Sequence, residues 1–177
     1  MRRSQTAATE EMRTAVALGS NLGERMENLR AAREAIVDLG GVTSPILSSS
    51  IYETDPVACE PDAKKFLNAV LEFDYDGDPA ELLARLRRIE ESLGRARNHE
   101  QNRSRTIDLD LLYFGDRKID NEELRLPHPR MHLRRFVLAP LADIRPELIL
   151  PGQTKTVREL LAWLDESDKV LRLTKGW

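Results

Sequence analysis

Arg105-Thr106-Ile107-Asp108-Leu109-Asp110-Leu111-Leu112-Tyr113-Phe114 puts two carboxylates inside a stretch that otherwise reads as a buried strand. Alternate side chains of a strand share a face, so Asp108 and Asp110 point one way and Ile107, Leu109 and Leu111 the other. From Leu111 to Phe114 both faces turn apolar, which predicts a strand covered on both sides. Two like charges one pleat apart at the start of such a strand are expensive without a counter-charge. A divalent cation would supply it. Two hard carboxylates, with no Cys nearby and no His in the strand, favour Mg²⁺ over zinc. Mg²⁺ fills its octahedron with water and phosphate oxygens, so the pair predicts a phosphate substrate. Taken alone, an Asp-x-Asp is more often two solvated carboxylates on the wet face of an edge strand.

The chain has 177 residues, 41% of them hydrophobic, enough for one core and therefore one expected domain over residues 15–177. A net charge of −3 gives no global pull toward nucleic acid or anionic lipid, so any anion site must be local. Cys59 is the single cysteine, which excludes an intramolecular disulfide framework and fits a reducing compartment. No apolar run reaches membrane-spanning length, and no apolar segment follows Arg2 and Arg3. The expectation is a cytoplasmic protein, a monomer or weak homo-oligomer, with a disordered polar extension over residues 1–14.

Working outward from the acidic strand, Ala15 to Leu18 reads as a short strand ending at the Gly19-Ser20-Asn21 turn. Leu22, Met26, Leu29, Ile36 and Leu39 then recur at helical spacing, and Gly40-Gly41 stops that helix. Ile46 to Tyr52 reads as one strand running into a long polar loop from Glu53 to Asp62. Phe66 to Asp74 alternates as a strand and sets Asn68 on the same face as Phe66 and Val70. Asp78, Pro79 and Glu81 form a capping-box-like start to a second helix, with Leu82, Leu83, Leu86, Ile89 and Leu93 as its apolar stripe and Gly94 as its end. The order strand, helix, strand, strand, helix, strand predicts an α+β, ferredoxin-like βαββαβ core: a mainly antiparallel sheet with helices on both faces and C-terminal additions. Those additions are a short arm from Arg117 to Leu126, a helix over Arg130 to Ala142 interrupted at Pro140, a capped helix from Thr156 and a last strand at Val170 to Leu173. Trp163 and Trp177 read as packing residues.

In that topology the ends of the first two strands and the starts of the last two meet at one edge. Gly19-Ser20-Asn21, the loop from Glu53, the Phe66/Asn68 strand start and the Asp108/Asp110 strand start converge there, with the N-terminus of the first helix favouring an anion. Arg95, Arg97, Arg103 and Arg105 lie within eleven residues just before the acidic strand. A bare Arg run is usually solvated loop, but cations that close over metal-bound phosphates are what phosphoryl transfer needs. His128, between two prolines and near Arg130, His132, Arg134 and Arg135, is read equally as a phosphate or ribose contact and as a turn cap.

With these residues the chain resembles the 6-hydroxymethyl-7,8-dihydropterin pyrophosphokinases, folate-pathway enzymes that transfer pyrophosphate from ATP. The likeness runs from Val16 to about Leu171. It rests on Gly19-Ser20-Asn21-Leu22-Gly23, Tyr52-Glu53-Thr54, Phe66-Leu67-Asn68-Ala69, Leu93-Gly94-Arg95-Ala96-Arg97, Arg105-Thr106-Ile107-Asp108-Leu109-Asp110 and Pro127-His128-Pro129-Arg130-Met131. It implies that Asp108 and Asp110 bind two Mg²⁺ ions bridging the ATP phosphates, and that Arg95 and Arg105 neutralise the transferring group. It further implies ATP contacts from Glu90, Arg97, Leu111, His128, Arg130 and Arg134. The pterin pocket would be lined by Thr54, Asp55, Val57, Phe66, Asn68 and Phe136, with the Asn68 amide on a ring edge and Phe136 stacked on the ring. Attack on the β-phosphorus, with AMP released, is likewise implied by the resemblance alone. Where the family carries Trp-Gly-Pro, this chain has Asn102-Arg103-Ser104, which implies a weaker hold on the pterin.

Two other classes share the predicted topology. A two-metal nucleotidyl transferase also carries paired Asp on such a sheet. An RNA-binding sheet needs exposed aromatics and a basic face, which 5% aromatic residues and a negative net charge argue against.

Overall fold

The computed structural model describes residues 12–56, 62–94, 104–165 and 169–177. Its elements are β1 (Met12–Ser20), α1 (Arg25–Val37), β2 (Val42–Ser48), β3 (Ile51–Thr54), β4 (Phe66–Tyr75), α2 (Pro79–Ser92) and β5 (Asp108–Phe114), then β6 (Ile119–Asp120), β7 (Arg125–Leu126), α3 (Arg135–Ile144), α4 (Val157–Trp163) and β8 (Val170–Thr174). The main sheet runs β5-β1-β4-β3-β8, with β2 also on β4, and every pairing is antiparallel. This is the ferredoxin-like order, with β2 and β3 together forming its second strand and β8 added at the edge.

Sheet alternation sorts the core into two layers. Val16, Leu18, Leu67, Ala69, Leu71, Phe73, Leu109 and Leu111 pack with Leu29, Ile36, Leu82 and Leu86 of α1 and α2. Ala15, Val70, Leu112 and Tyr113 pack with Val137, Leu138 and Leu141 of α3 on the other face. Gly94, at φ +93°, ends α2 in the left-handed backbone that glycine adopts without strain.

Several sequence expectations are corrected. β1 begins at Met12, so Met12 to Thr14 belong to the sheet, paired with Tyr75, Asp74 and Phe73, and the extension read over 1–14 overran it by three residues. The strand read over Ile46 to Tyr52 is two strands, parted where the Ser49 hydroxyl accepts the Val70 N–H and donates to Ser50 O. Pro140 does not interrupt its helix: it lies inside α3 and is buried there along with Val137, Leu138, Ala139 and Leu141. Glu81 does not close a capping box with Asp78. Asp78 accepts from the N–H groups of Ala80 and Glu81, while Glu81 turns to Arg85. Trp163 is 75% exposed, with the Lys155 ammonium 3.8 Å from its ring centre, and is no packing residue. Trp177 does pack, and its indole N–H donates to Ser49 O. The capping box at Thr156 and Glu159 is present as expected.

Candidate active site

The end of the sheet where β1 stops and β5 starts carries a row of residues set by register. Gly19 pairs with Asn68 on one side and Asp108 on the other, and Asn68 pairs with Tyr52. Ala17 likewise lies between Val70 and Asp110. Paired residues share a face, so Asp108, Asp110, Gly19, Asn68 and Tyr52 all face the α3 side. The Tyr52 hydroxyl reaches Asp143 of α3 at 2.9 Å, which fixes that side.

At the acidic end, Arg105 Nη1 lies 2.8 Å from Asp108 and Arg134 Nη1 lies 3.7 Å from Asp110. The carboxylates are one-quarter to two-fifths exposed, open to a ligand. Asp108 and Asp110 thus project together from one face as expected, each with a guanidinium beside it. Arg130 adds to this field: Arg134 has its pKa lowered first by burial and then by Arg130, against the pull of Asp110 and Asp108. Guanidinium stays charged regardless.

His128 is drawn in by its backbone N–H, which donates to Leu112 O at 2.7 Å. Its Nδ1 accepts the Arg130 N–H at 3.2 Å, so the neutral ring carries its proton on Nε2. Burial first, then Arg134 and Arg130, lower its pKa to about 4. The imidazole is therefore a neutral N–H donor near pH 7. In the ligand-free protein the His128 ring is expected to titrate near pH 4, readable from its ring-proton NMR shifts, and a polyphosphate bound beside it should raise that value. The folded chain refuses a proton that the unfolded chain accepts near pH 6.5, so this group's contribution makes stability fall as pH drops from about 6.5 to about 4. A midpoint near 6.5 in the folded protein would show the ring to be solvated instead.

At the other end of the row, Asn68 and Thr54 are both 6% exposed, and Asn68 Nδ2 donates to Thr54 Oγ1 at 2.8 Å. That bond fixes which way the amide faces. Phe66, half-buried, pairs with Thr54. Phe136 sits at the start of α3, and the Arg134 guanidinium lies 5.4 Å from its ring centre, so one ring face already meets a cation. Asp55 is exposed and pairs with Lys65 at 3.2 Å.

Two expected ligand contacts are placed differently. Leu111 is 4% exposed within the α1/α2 core layer, so its side chain points away from the acidic face. Glu90 is 7% exposed, and its Oε1 accepts the Leu109 N–H at 2.7 Å. It grips the backbone between the two Asp residues. Arg95, Arg97 and Val57 lie outside the described residues, as does Asn102-Arg103 of the altered segment.

Asn21, in the turn expected at the convergent edge, is fully buried and central. Its Oδ1 accepts the Arg105 N–H at 2.7 Å, its own N–H donates to Arg105 O, and its Nδ2 donates to Ser104 Oγ and Lys64 O. It thereby ties the end of β1 to the approach to β5. An Asn after a strand carries no signal separating this clamp from an ordinary turn.

Among the described residues no three His, Cys, Asp or Glu side chains converge as a metal site. A cation here would have to draw ligands from substrate and water. Two carboxylates on one face with room in front fit that demand, which is the habit of Mg²⁺. No helix among the described residues is long and apolar enough to cross a membrane.

Comparison with known proteins gives a consistent result. Residues 15–146 match the family model for 7,8-dihydro-6-hydroxymethylpterin-pyrophosphokinase. The chain is 40% identical over 146 residues to the 2-amino-4-hydroxy-6-hydroxymethyldihydropteridine pyrophosphokinase of Haemophilus influenzae, covering 82% of this chain and 89% of that one. It is 47% identical over 129 residues to the protein of the same name from Bacillus subtilis, covering 73% and 75%. Among solved structures, Plasmodium falciparum HPPK-DHPS with pterin and p-hydroxybenzoate superposes with a TM-score of 0.67 at 18% identity, over 87% of this chain and 43% of that one. That likeness speaks to the fold, and this chain spans less than half of the larger protein.

Proposed function

The chain belongs to the 7,8-dihydro-6-hydroxymethylpterin-pyrophosphokinase family, and from that premise we propose how its cleft works, residue by residue. The enzyme transfers pyrophosphate from ATP to 6-hydroxymethyl-7,8-dihydropterin in folate biosynthesis, giving the dihydropterin diphosphate and AMP. The observation that carries the assignment of roles is the row itself: an oriented amide at Asn68 and a carboxylate at Asp108 on one face, two strands apart, about 10 Å.

Asp108 and Asp110 would hold two Mg²⁺ ions, whose chemistry when bound is to neutralise and orient the ATP phosphates. Arg105 and Arg134, beside those carboxylates, carry positive charge toward the same phosphates. The Nε2–H of neutral His128 donates to a phosphate or ribose oxygen, and Arg130 adds charge at the rim. Little covalent chemistry falls to the protein in such a transfer, so positioning and charge do most of the work. Arg95 and Arg97 have parallel roles by family resemblance. On the pterin side Asn68, locked by Thr54, presents its amide to the ring edge, while Phe66 and Phe136 give apolar walls. Glu90 acts indirectly, by holding the backbone between the metal carboxylates. The protein's proposed substrates, ATP and a pterin, are small molecules, and the cytoplasm is the proposed place of reaction.

The nucleic-acid alternative fares poorly on this geometry. The cleft-side face of β1 and β4 carries Ala15, Ala17, Gly19, Asn68 and Val70, with Phe66 at its end, and offers no aromatic platform across the sheet. The test is an assay with ATP, Mg²⁺ and 6-hydroxymethyl-7,8-dihydropterin in which AMP and ADP are resolved chromatographically. AMP that appears only with the pterin is expected. ADP would mean γ-phosphoryl transfer, and no pterin-dependent product would overturn the reading.

A further inference from the structure

The side chains that β1 turns toward the cleft are Ala15, Ala17 and Gly19, whereas Val16 and Leu18 fill the opposite core. Size on the cleft side falls to nothing at the position between Asn68 and Asp108. Backbone conformation does not ask for glycine there: Gly19 sits in regular strand pairing and has no left-handed φ. Glycine in a strand interior is unfavourable by its own conformational freedom and lack of packing, so its presence calls for a reason of space. A Cβ built on Gly19 would stand 3.3 Å from Asn68 Oδ1, 3.8 Å from Phe66 Cδ1 and 3.9 Å from Asp108 Cβ. One methyl would touch both proposed pterin residues and the Cβ of the proposed metal ligand Asp108 at once.

We infer that Gly19 is a positioning and specificity residue: its bare Cα is the floor over which the C6 hydroxymethyl arm of the pterin passes from the Asn68 side to the phosphates on Asp108. This rests on the roles proposed above for Asn68 and Asp108. It adds a limit they do not contain, namely that the sheet itself sets how much substituent C6 can carry.

Gly19→Ala separates the arm from the ring. Pterin without a C6 substituent and 6-hydroxymethylpterin are titrated calorimetrically into the wild type and the variant, with α,β-methylene-ATP and Mg²⁺ in every sample. The variant should bind 6-hydroxymethylpterin weaker by about tenfold or more, as expected for one methyl forced into filled space, and bind unsubstituted pterin nearly as the wild type does. Equal losses for both would mean that the methyl acts through Asn68 on the ring, and unchanged affinity for both would mean that the arm does not cross residue 19. Either result overturns the inference. In the wild type, a nuclear Overhauser contact between the Gly19 Hα protons and the methylene of bound 6-hydroxymethylpterin is expected; its absence while contacts to Phe66 are seen also overturns it, whether or not the variant folds. Wild-type protein that binds neither pterin would instead sink the functional reading beneath it.

Discussion

Replacing Asp108 or Asp110 by Asn is expected to lower AMP formation by about 10³-fold or more while leaving the fold intact. The magnitude follows from the proposed role: metal-held charge at a transferring phosphate supplies several kcal/mol, and about 4 kcal/mol is a factor near 10³. Asn keeps the size and one oxygen of Asp but not its charge. Arg105 then loses its ion pair with Asp108, or Arg134 its ion pair with Asp110, and the proposed cation loses a ligand. Folding should not suffer, since both carboxylates are partly exposed and lie on one face, so removing one relieves repulsion as it removes an ion pair. Rates measured over a range of Mg²⁺ concentrations, beside thermal melts, would test this. A variant that keeps a tenth of wild-type rate would show that the carboxylates serve only to orient the arginines.

Glu72→Ala should have the opposite profile: a loss of about 3 kcal/mol of stability and unchanged activity per folded molecule. Glu72 is 1% exposed on β4, where it accepts from the Tyr113 hydroxyl at 2.5 Å and Arg145 Nε at 2.7 Å and meets Arg13 Nη2 at 3.0 Å. Burial, reinforced by Glu72, raises the Tyr113 pKa, so the hydroxyl stays a donor. Without Glu72, two guanidiniums face each other and a buried hydroxyl has lost its acceptor. Arg13 and Arg145 are partly exposed, so water softens the penalty and the lower end of the buried-pair range applies. A domain of this size should then melt lower by about 6 to 12 °C. The cluster lies opposite Ala15, four residues along β1 from Gly19 and so about 13 Å from the cleft. Glu72→Gln, which keeps an acceptor, should lose less. Urea melts paired with the AMP assay would check both halves, and a change below about 1 kcal/mol would mean that the arginines find other partners.

The acidic strand, both flanking helices and the alternation of β4 were legible because period and caps are local properties. Asp108 and Asp110 share a face for no deeper reason than the pleat, and Asp78 caps α2 as any Asp before Pro at that position does. What failed to show were effects of distant partners. The break at Ser49 and Ser50 answers to Val70, the continuity of α3 through Pro140 accompanies the packing of Val137, Leu138 and Leu141 against the sheet, and the exposure of Trp163 answers to a surface that only packing defines. The pleat that unites the carboxylates also turns Leu111 into the core, as the alternation predicts and against the ATP contact that the family resemblance implies for it.

The order of elements and the burial on both faces of the sheet follow from hydrophobic period and residue type, which act over a few residues. The tertiary structure decided which groups meet at the cleft. Asn21 clasping Arg105, Glu90 holding the Leu109 N–H and Gly19 parting Asn68 from Asp108 join residues from 19 to 89 positions apart. Such meetings depend on strand register, and register is fixed by the sum of packing on both faces of the sheet rather than by any one segment.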